Sequence, residues 1–509
     1  MTANNTKHFT TSEPAINFTC IGLGQAGGRM VDEFAKIKNG GKSVYNCLAL
    51  NSNKGDLKEL KHILPANQIC LSSLGGFGKN PQKAIEILDK NDDIRQELRD
   101  FISNRVRPAD DCVLIFAGFG GGTGTSTLIK AIEDFFEEHN KPVLLEALKE
   151  IETEVGTQVL RSNLKEYMLE ATKRAEDKLL KVGIVIAQPL ESDGLDVLRQ
   201  VHTFNQKVWK LVQDPMKGIP FVTYLDNEQF YNEFEALTEE ERDFLQVNNF
   251  RDYGNKKFCQ IFHELNTAPT VGGTSVVLDK QDFRRLILEH RGCLVINKIS
   301  KPLDEVLNEK VIEKMFVETV EHSAFHEDIS LISVEKVNGE EKQIAKKVYH
   351  LGILAVLAKD KEKEFSSNFI DRARKEISSK LPITGTFFSG FISGYTSFQT
   401  HTYAVYKTNA LPRRVEKGIV EELGNQVQRF KNMEFQKTEF EQIGDFAFLA
   451  EDDPIDFEGF GLEKEDRLAE IAKRGAEKQG TDDPETETAR KMLDEADFED
   501  LLSIDITKL

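Results

Sequence analysis

The sequence predicts an α/β protein with a doubly wound parallel sheet, a long central helix, a second mixed-sheet α+β region and an acidic C-terminal tail. Three observations predict this. The nearly all-apolar run at 112–117 reads as a strand covered on both faces, and 182–187 and 220–225 read as further strands. Each of the earlier runs feeds a glycine-rich or polar loop and then a segment of helix length. From 441 onward acids crowd the chain, as in Glu451-Asp452-Asp453 and Asp482-Asp483-Pro484-Glu485.

In chain order, residues 1–14 read as a disordered polar arm. A strand at 16–21 enters Gly22-Leu23-Gly24-Gln25-Ala26-Gly27-Gly28, and a helix is expected over 29–37. A strand at 45–50 ends at Asn51-Ser52-Asn53. A short strand at 68–71 precedes Gly75-Gly76-Phe77-Gly78-Lys79-Asn80-Pro81, and a helix is expected from there to about 105. The apolar strand 112–117 runs into Gly118-Phe119-Gly120-Gly121-Gly122-Thr123-Gly124-Thr125-Ser126, with a helix expected over 127–138. A long helix is expected over 249–266, a loop over 267–278, and further strands at 349–357 and 384–393. A helix follows from 411 to about 431. The expected division is therefore a nucleotide-binding region 15–266 carrying a helical insertion at 137–180, a second domain 267–410, a helix 411–440 and a mainly disordered tail 441–509.

Composition excludes some function classes. With 509 residues, 39% hydrophobic and 30% charged, the chain has the make-up of a globular protein large enough for two or three cores. A net charge of -19 and a pI near 5.2 argue against nucleic-acid binding through the overall field. The six scattered cysteines form no CxxC pair and several lie in apolar runs, so buried reduced thiols and a cytoplasmic location are expected, with no residue assigned as a metal ligand. No apolar run reaches the roughly 18 residues of a membrane-spanning helix, and the polar N-terminus does not read as a signal peptide.

Gly22-Leu23-Gly24-Gln25-Ala26-Gly27 fits the GxGxxG pattern, in which bare backbone approaches phosphate at a helix N-terminus. A purely structural turn is the plain alternative. An NAD enzyme would place an acid at the end of the second strand, where this chain has Asn51-Ser52-Asn53. The loop Gly120-Gly121-Gly122-Thr123-Gly124-Thr125 is more specific. Successive unhindered amides after a buried strand form an anion nest, and the threonine hydroxyls donate to phosphate oxygens. No Lys-Ser/Thr pair follows, so it is not a Walker loop.

Gly120 to Thr125 resembles the GGGTG[ST]G signature of the tubulin/FtsZ family, with Ser126 replacing the last glycine. Gly22 to Gly28 resembles the family's first phosphate loop, Asn51 to Asp56 the second, and Gly75 to Pro81 the third. Leu225-Asp226-Asn227 resembles the family's [IL]-x-N, whose asparagine reads the guanine edge with a paired donor and acceptor. A lone asparagine there would otherwise be a helix cap. Leu225 to Tyr231, the central-helix segments Tyr253-Gly254-Asn255-Lys256 and His263 to Asn266, and Ala410-Leu411-Pro412-Arg413-Arg414-Val415 resemble the TubZ partition tubulins within the family.

The resemblance implies a GTP- and GDP-binding, Mg²⁺-dependent GTPase that polymerises head to tail with itself. Its pocket residues are Gly24, Gln25, Ala26, Asn51, Asn53, Gly75, Gly76, Gly78, Asn80, Gly120, Gly121, Gly122, Thr123, Gly124, Thr125, Asn227, Tyr253 and Asn255. Leu278-Asp279-Lys280-Gln281-Asp282 resembles the synergy loop that enters the next subunit's pocket, with Val277 where asparagine is usual. Asp279 and Asp282 would then polarise the attacking water; an N-cap and a first-turn acid is the plain alternative. TubZ tails are usually basic and dock a DNA-bound adaptor, whereas this tail is acidic, so an adaptor partner, another partner and simple solvation all stay open. The implied role is plasmid or phage DNA segregation. The alternatives are a division or shape filament like FtsZ or its archaeal relatives, a Rossmann NAD enzyme, and a nucleotide-binding scaffold without turnover.

Overall fold

The computed structural model describes residues 12–71, 80–271, 278–337, 340–358, 368–396 and 398–431. The expected arm before residue 12, the tail, Val277, and Gly75, Gly76 and Gly78 lie outside the described residues. Those that are described form two compact units.

The first unit, up to Phe135 with Leu180–Val212 and Ile219–Ile419, carries a ten-stranded sheet among the described residues. In chain order the strands are β1 (Phe18–Leu23), β2 (Asn46–Asn51), β3 (Gln68–Cys70), β4 (Cys112–Gly118), β5 (Lys181–Gln188), β6 (Phe221–Asp226), β7 (Gly292–Pro302), β8 (Val348–Ala358), β9 (Phe387–Thr396) and β10 (Gln399–Thr408). Across the sheet they run β9-β8-β10-β7-β6-β5-β4-β1-β2-β3. From β7 to β3 every pairing is parallel. β10 is antiparallel to both β7 and β8, which makes the far part of the sheet mixed. A brief pairing of Phe221 with Gly292 and Val222 with Cys293 joins the two parts.

Every position of β1 is buried, Thr19 being its one polar residue, and most of β4 is buried and apolar, because helices cover both faces of the parallel part. On one face α1 (Gly24–Ala35) and the long helix α4 (Phe250–Thr267) meet over an aromatic cluster. Phe34 packs 5.3 Å from Phe116, and Phe258 stacks on Phe262 at 5.5 Å, centre to centre. Asn266 of α4 bonds the Ile16 amide at 2.9 Å and its carbonyl at 2.8 Å, fixing the entry to β1.

Several helices start earlier than the periodicity predicts. α1 begins at Gly24 rather than Arg29, and α2 (Gly122–Phe135) begins at Gly122 rather than Thr127. Gly24, Gly27, Gly28, Gly122 and Gly124 lie inside the first turns of these helices, while Gly120 and Gly121 form the turn before α2. The expected helix to about 105 is two, Pro81–Lys90 and Asp92–Ser103, because extended Asn91 ends one and caps the next through the Ile94 amide. The segment from 411 opens with a π-helical turn, Arg414–Gly418.

The second unit comprises, among the described residues, Phe136–Leu179, Gln213–Gly218 and 420–431. Its helices Lys141–Val155, Thr157–Ser162 and Leu164–Ala175 bury Leu148, Leu160 and Met168 around Phe136 and Met216. No helix among the described residues is long and apolar enough to cross a membrane.

Candidate functional site

In an open parallel sheet, ligands sit beyond the carboxyl ends of the strands where the strand order reverses. β1 lies between β2 and β4, so the chain switches direction there. A cleft of about 310 Å³ opens at that point, inside the ~300–1,000 Å³ range of small-molecule sites. Its walls come from the ends of β1 (Leu23), β2 (Asn51), β4 (Gly118) and β5 (Ala187), and from the helices that follow.

The two glycine loops touch through bare backbone. Gly24 has φ +70°, and a Cβ on it would lie 2.9 Å from the Gly124 nitrogen. A Cβ on Gly124 would lie 2.9 Å from the Leu23 carbonyl oxygen, and one on Gly118 would lie 2.5 Å from the Ala26 Cβ. Packing alone therefore requires glycine at these three positions. It does not require Gly121, whose Cβ would meet nothing nearer than the Gly118 oxygen at 4.0 Å. Gly120, with φ +100°, is needed for the turn.

Many helices of the chain are closed at their start by a side-chain cap. Asn53, Asn80, Asn91, Asp226, Thr238, Asn249, Asp279 and Asn308 each cap a helix with a side chain. α1 follows Leu23, which offers no capping bond, and neither α1 nor α2 has an acid in its first turn. Two helix N-termini thus reach the cleft with no acid in their first turns, the arrangement that accepts an anion.

Of the residues expected in the pocket, Gly24, Gln25, Ala26, Asn51, Gly120, Gly121, Gly122, Thr123, Gly124 and Asn227 line this cleft together. Thr123 Oγ1 lies 2.7 Å from Ser52 Oγ, which ties the second loop to the fourth. Thr125 is buried and donates to the Gly121 carbonyl at 2.9 Å, bracing the glycine run from behind. Asn53 and Asn80 are not in the wall and serve as caps for Gly55 and Lys83. Tyr253 donates its hydroxyl to Glu233 at 3.0 Å. Asn255, also on α4, is half-buried and likewise outside the wall.

Sequence reasoning left out Asp56, Asp193, Pro189 and Arg251, which do line the cleft. Asp56 closes the second loop, where its carboxylate accepts from Gln25 Nε2 at 3.2 Å and Asn51 Nδ2 at 3.0 Å. Its place at the end of the quoted segment 51–56 was the available signal. Arg251 stands one turn before Asn255 on the same helix face, so the period of α4 was the only hint.

Asn227 is the first residue of α3 (Asn227–Ala236), and the cap is Asp226. Asp226 accepts from the Glu228 amide at 3.0 Å, which leaves the Asn227 side chain free of the capping role the plain alternative gave it. Asp279 and Asp282 open α5 (Lys280–Leu288) as a reciprocal capping box. Burial pushes the Asp282 carboxyl above its usual range, and the Asp279 carboxylate adds to this.

The fold has known counterparts. A solved protofilament of Bacillus thuringiensis serovar israelensis TubZ in its GTPγS form superposes with a TM-score of 0.58 at 16% identity, covering 83% of this chain and 94% of that one. The chain has the tubulin/FtsZ fold. The GTPγS-bound protofilament of CetZ2 from Haloferax volcanii shares this fold with a TM-score of 0.52 at 14% identity, over 82% of this chain and 100% of that one. At the level of sequence, this tubulin/FtsZ-fold chain is similar to the tubulin-like protein TubZ of Bacillus cereus, 23% identical over 288 residues, or 54% of this chain and 53% of the relative. It is also similar to CetZ of Pyrococcus furiosus, 34% identical over 133 residues, or 26% of this chain and 31% of the relative. The chain thus spans about half the length of the TubZ relative it matches. No family model matches the chain.

Proposed function

We propose that this chain binds and hydrolyses GTP and assembles head to tail into filaments that segregate or position plasmid or phage DNA. The observation that carries the reading is the convergence of the N-termini of α1 and α2, neither with an acid in its first turn, on one cleft, with Asn227 in the same wall. The glycine nest takes the phosphates, and the Gly121 amide meets them without a side chain in the way. Asn227 reads the guanine edge with its donor and acceptor. The TubZ and CetZ2 protofilaments in GTPγS form support both the ligand and the mode of assembly.

The cleft also fits Mg²⁺, a hard cation that takes oxygen ligands. Asp56, Asp193 and Thr123 all line the cleft and would offer it two carboxylates and a hydroxyl. When bound, the ion offsets the charge that develops on the phosphates. Asp279 and Asp282 are assigned to a neighbouring subunit's cleft, where they polarise water. Both lie at the exposed start of α5. The expected domain limits, 15–266 and 267–410, belong to the same proposal, as do a cytoplasmic setting and an adaptor or other partner on the acidic tail.

Pelleting with GTP, GDP and GTPγS, followed by electron microscopy, tests this reading. Filaments are expected with GTP, and phosphate release per subunit should rise steeply above the assembly threshold. A turnover that stays constant from far below to far above that threshold would rule out a shared site. A shape-determining filament is the second reading, favoured by the CetZ similarity over 133 residues. Cargo separates the two: retention of a plasmid in dividing cells supports partition, and altered cell outline supports shape control.

A further inference from the structure

Ala410-Leu411-Pro412-Arg413-Arg414-Val415 has no part in the site as described, yet Arg414 reaches it. Its Nη1 donates to Asp226 Oδ1 at 2.6 Å and to the Pro189 carbonyl at 2.8 Å. Both charged side chains are only 8% exposed. Asp226 is the residue before Asn227 and caps the helix that Asn227 opens. The Asp226 amide in turn donates to the Phe325 carbonyl at 2.7 Å. Pro189 lines the cleft and lies 3.4 Å from where a Cβ on Gly120 would stand. One guanidinium thus holds both Pro189 of the cleft wall and the residue next to Asn227 of that wall, which are distant in sequence.

A buried ion pair seldom adds net stability compared with an apolar pair of the same volume, but it fixes geometry. The geometry fixed here is the turn from β6 into α3, on which the direction of the Asn227 amide depends. We propose that Arg414 is a positioning residue for base selection: through Asp226 and Pro189 it orients Asn227 towards the guanine edge. The inference rests on the reading of the cleft as a guanine-nucleotide site.

Calorimetric titration of the full chain with GDP and with ADP tests it, because the diphosphate contacts are common to both ligands and the base contacts are not. The double variant Asp226→Asn/Arg414→Gln leaves no buried charge unpaired, and asparagine keeps the cap for Glu228. It should bind GDP roughly tenfold more weakly, the loss of about one good hydrogen-bonded contact, and ADP as the wild type does. Asn227→Ala added to it should cost no further GDP affinity, since the two changes remove the same contact. Arg414→Lys, which keeps a donor for both oxygens, should restore much of the preference for GDP. Should the double variant fail to fold, Asp226→Asn/Arg414→Met, which also leaves no charge unpaired, carries the same test. A variant whose GDP-to-ADP ratio equals that of the wild type, whatever its melting temperature, overturns the positioning role. A wild-type chain that binds both nucleotides equally would instead overturn the guanine reading on which the role rests.

Discussion

The Asp282 amide donates to Asp279 Oδ1 at 2.8 Å, and the Asp279 amide donates back to Asp282 Oδ2 at 3.4 Å. Each carboxylate of the proposed catalytic pair therefore also holds the first turn of α5. The two roles separate by substitution. Asp279→Asn keeps a capping oxygen and removes the charge, so stability should stay within about 0.5 kcal/mol while GTP turnover falls by roughly 100-fold. Asp279→Ala should lose a further ~1 kcal/mol of stability with the cap. Phosphate release and urea denaturation, measured on both variants, check this. An Asp279→Asn chain that turns over at the wild-type rate would confine the residue to capping.

The glycines divide into those that packing needs and those the ligand needs. Gly124→Ala places a Cβ 2.9 Å from the Leu23 carbonyl oxygen, so it should lower stability by about 1–3 kcal/mol. Gly121→Ala meets open space and should leave thermal stability almost unchanged while weakening GTP binding at least tenfold, on the order of 1.4 kcal/mol. Melting curves with and without nucleotide distinguish the pair. Equal GTP affinity in Gly121→Ala and wild type would remove this amide from the phosphate site.

Lys407 supports α5 from its other end. Its buried ammonium donates to the carbonyls of Ile287 and His290 at 2.9 Å each, to Pro220 at 3.4 Å and to Glu289. Burial pushes its pKa well down, but four carbonyl oxygens solvate the charge. Lys407→Met leaves these acceptors without their donor and should cost roughly 2–4 kcal/mol. Differential scanning calorimetry at neutral pH gives the value. A change below about 0.5 kcal/mol would show that the helix end holds without it.

Acid stability should depend on His326. The ring is 2% exposed, Nδ1 donates to the Glu327 carbonyl at 2.8 Å, and Nε2 has no hydrogen-bond partner among the described residues. Burial lowers its pKa from 6.5 to about 4, so the folded state keeps it neutral. Between those values the unfolded chain binds more protons than the folded one. Stability is therefore present above about pH 6.5 and is lost as the pH falls towards 4, by up to about 3 kcal/mol. Denaturation midpoints across that window should fall less steeply in His326→Gln. An identical slope in the variant would assign the loss to other groups, His401 first, since burial lowers its pKa to about 4 as well.

Much of the architecture was legible because its signals are local. The apolar runs of β1, β4, β5 and β6 lie within a residue or two of where periodicity put them. The glycine loops showed where strands hand over to helices. Boundaries misled where a glycine sits inside a helix, as at Gly24 and Gly124. Propensity counts glycine as a breaker there, while the close approach of two backbones requires it. Tyr253 was expected to face the pocket, but its hydroxyl is held by Glu233. No local pattern foretells a partner twenty residues away.

By itself the sequence determined the alternation of strands and helices, the two phosphate-type loops and the acid pair at the start of α5. These depend on residues close in the chain, through periodicity, turn chemistry and capping. Only the tertiary structure decided which loops meet and which residues hold them. It brought Gly24 against Gly124, moved the capping duty from Asn227 to Asp226, and set Arg414 behind that cap. The physical reason is that close backbone contact and buried charge pairing are set by three-dimensional distance, to which spacing along the chain gives no guide.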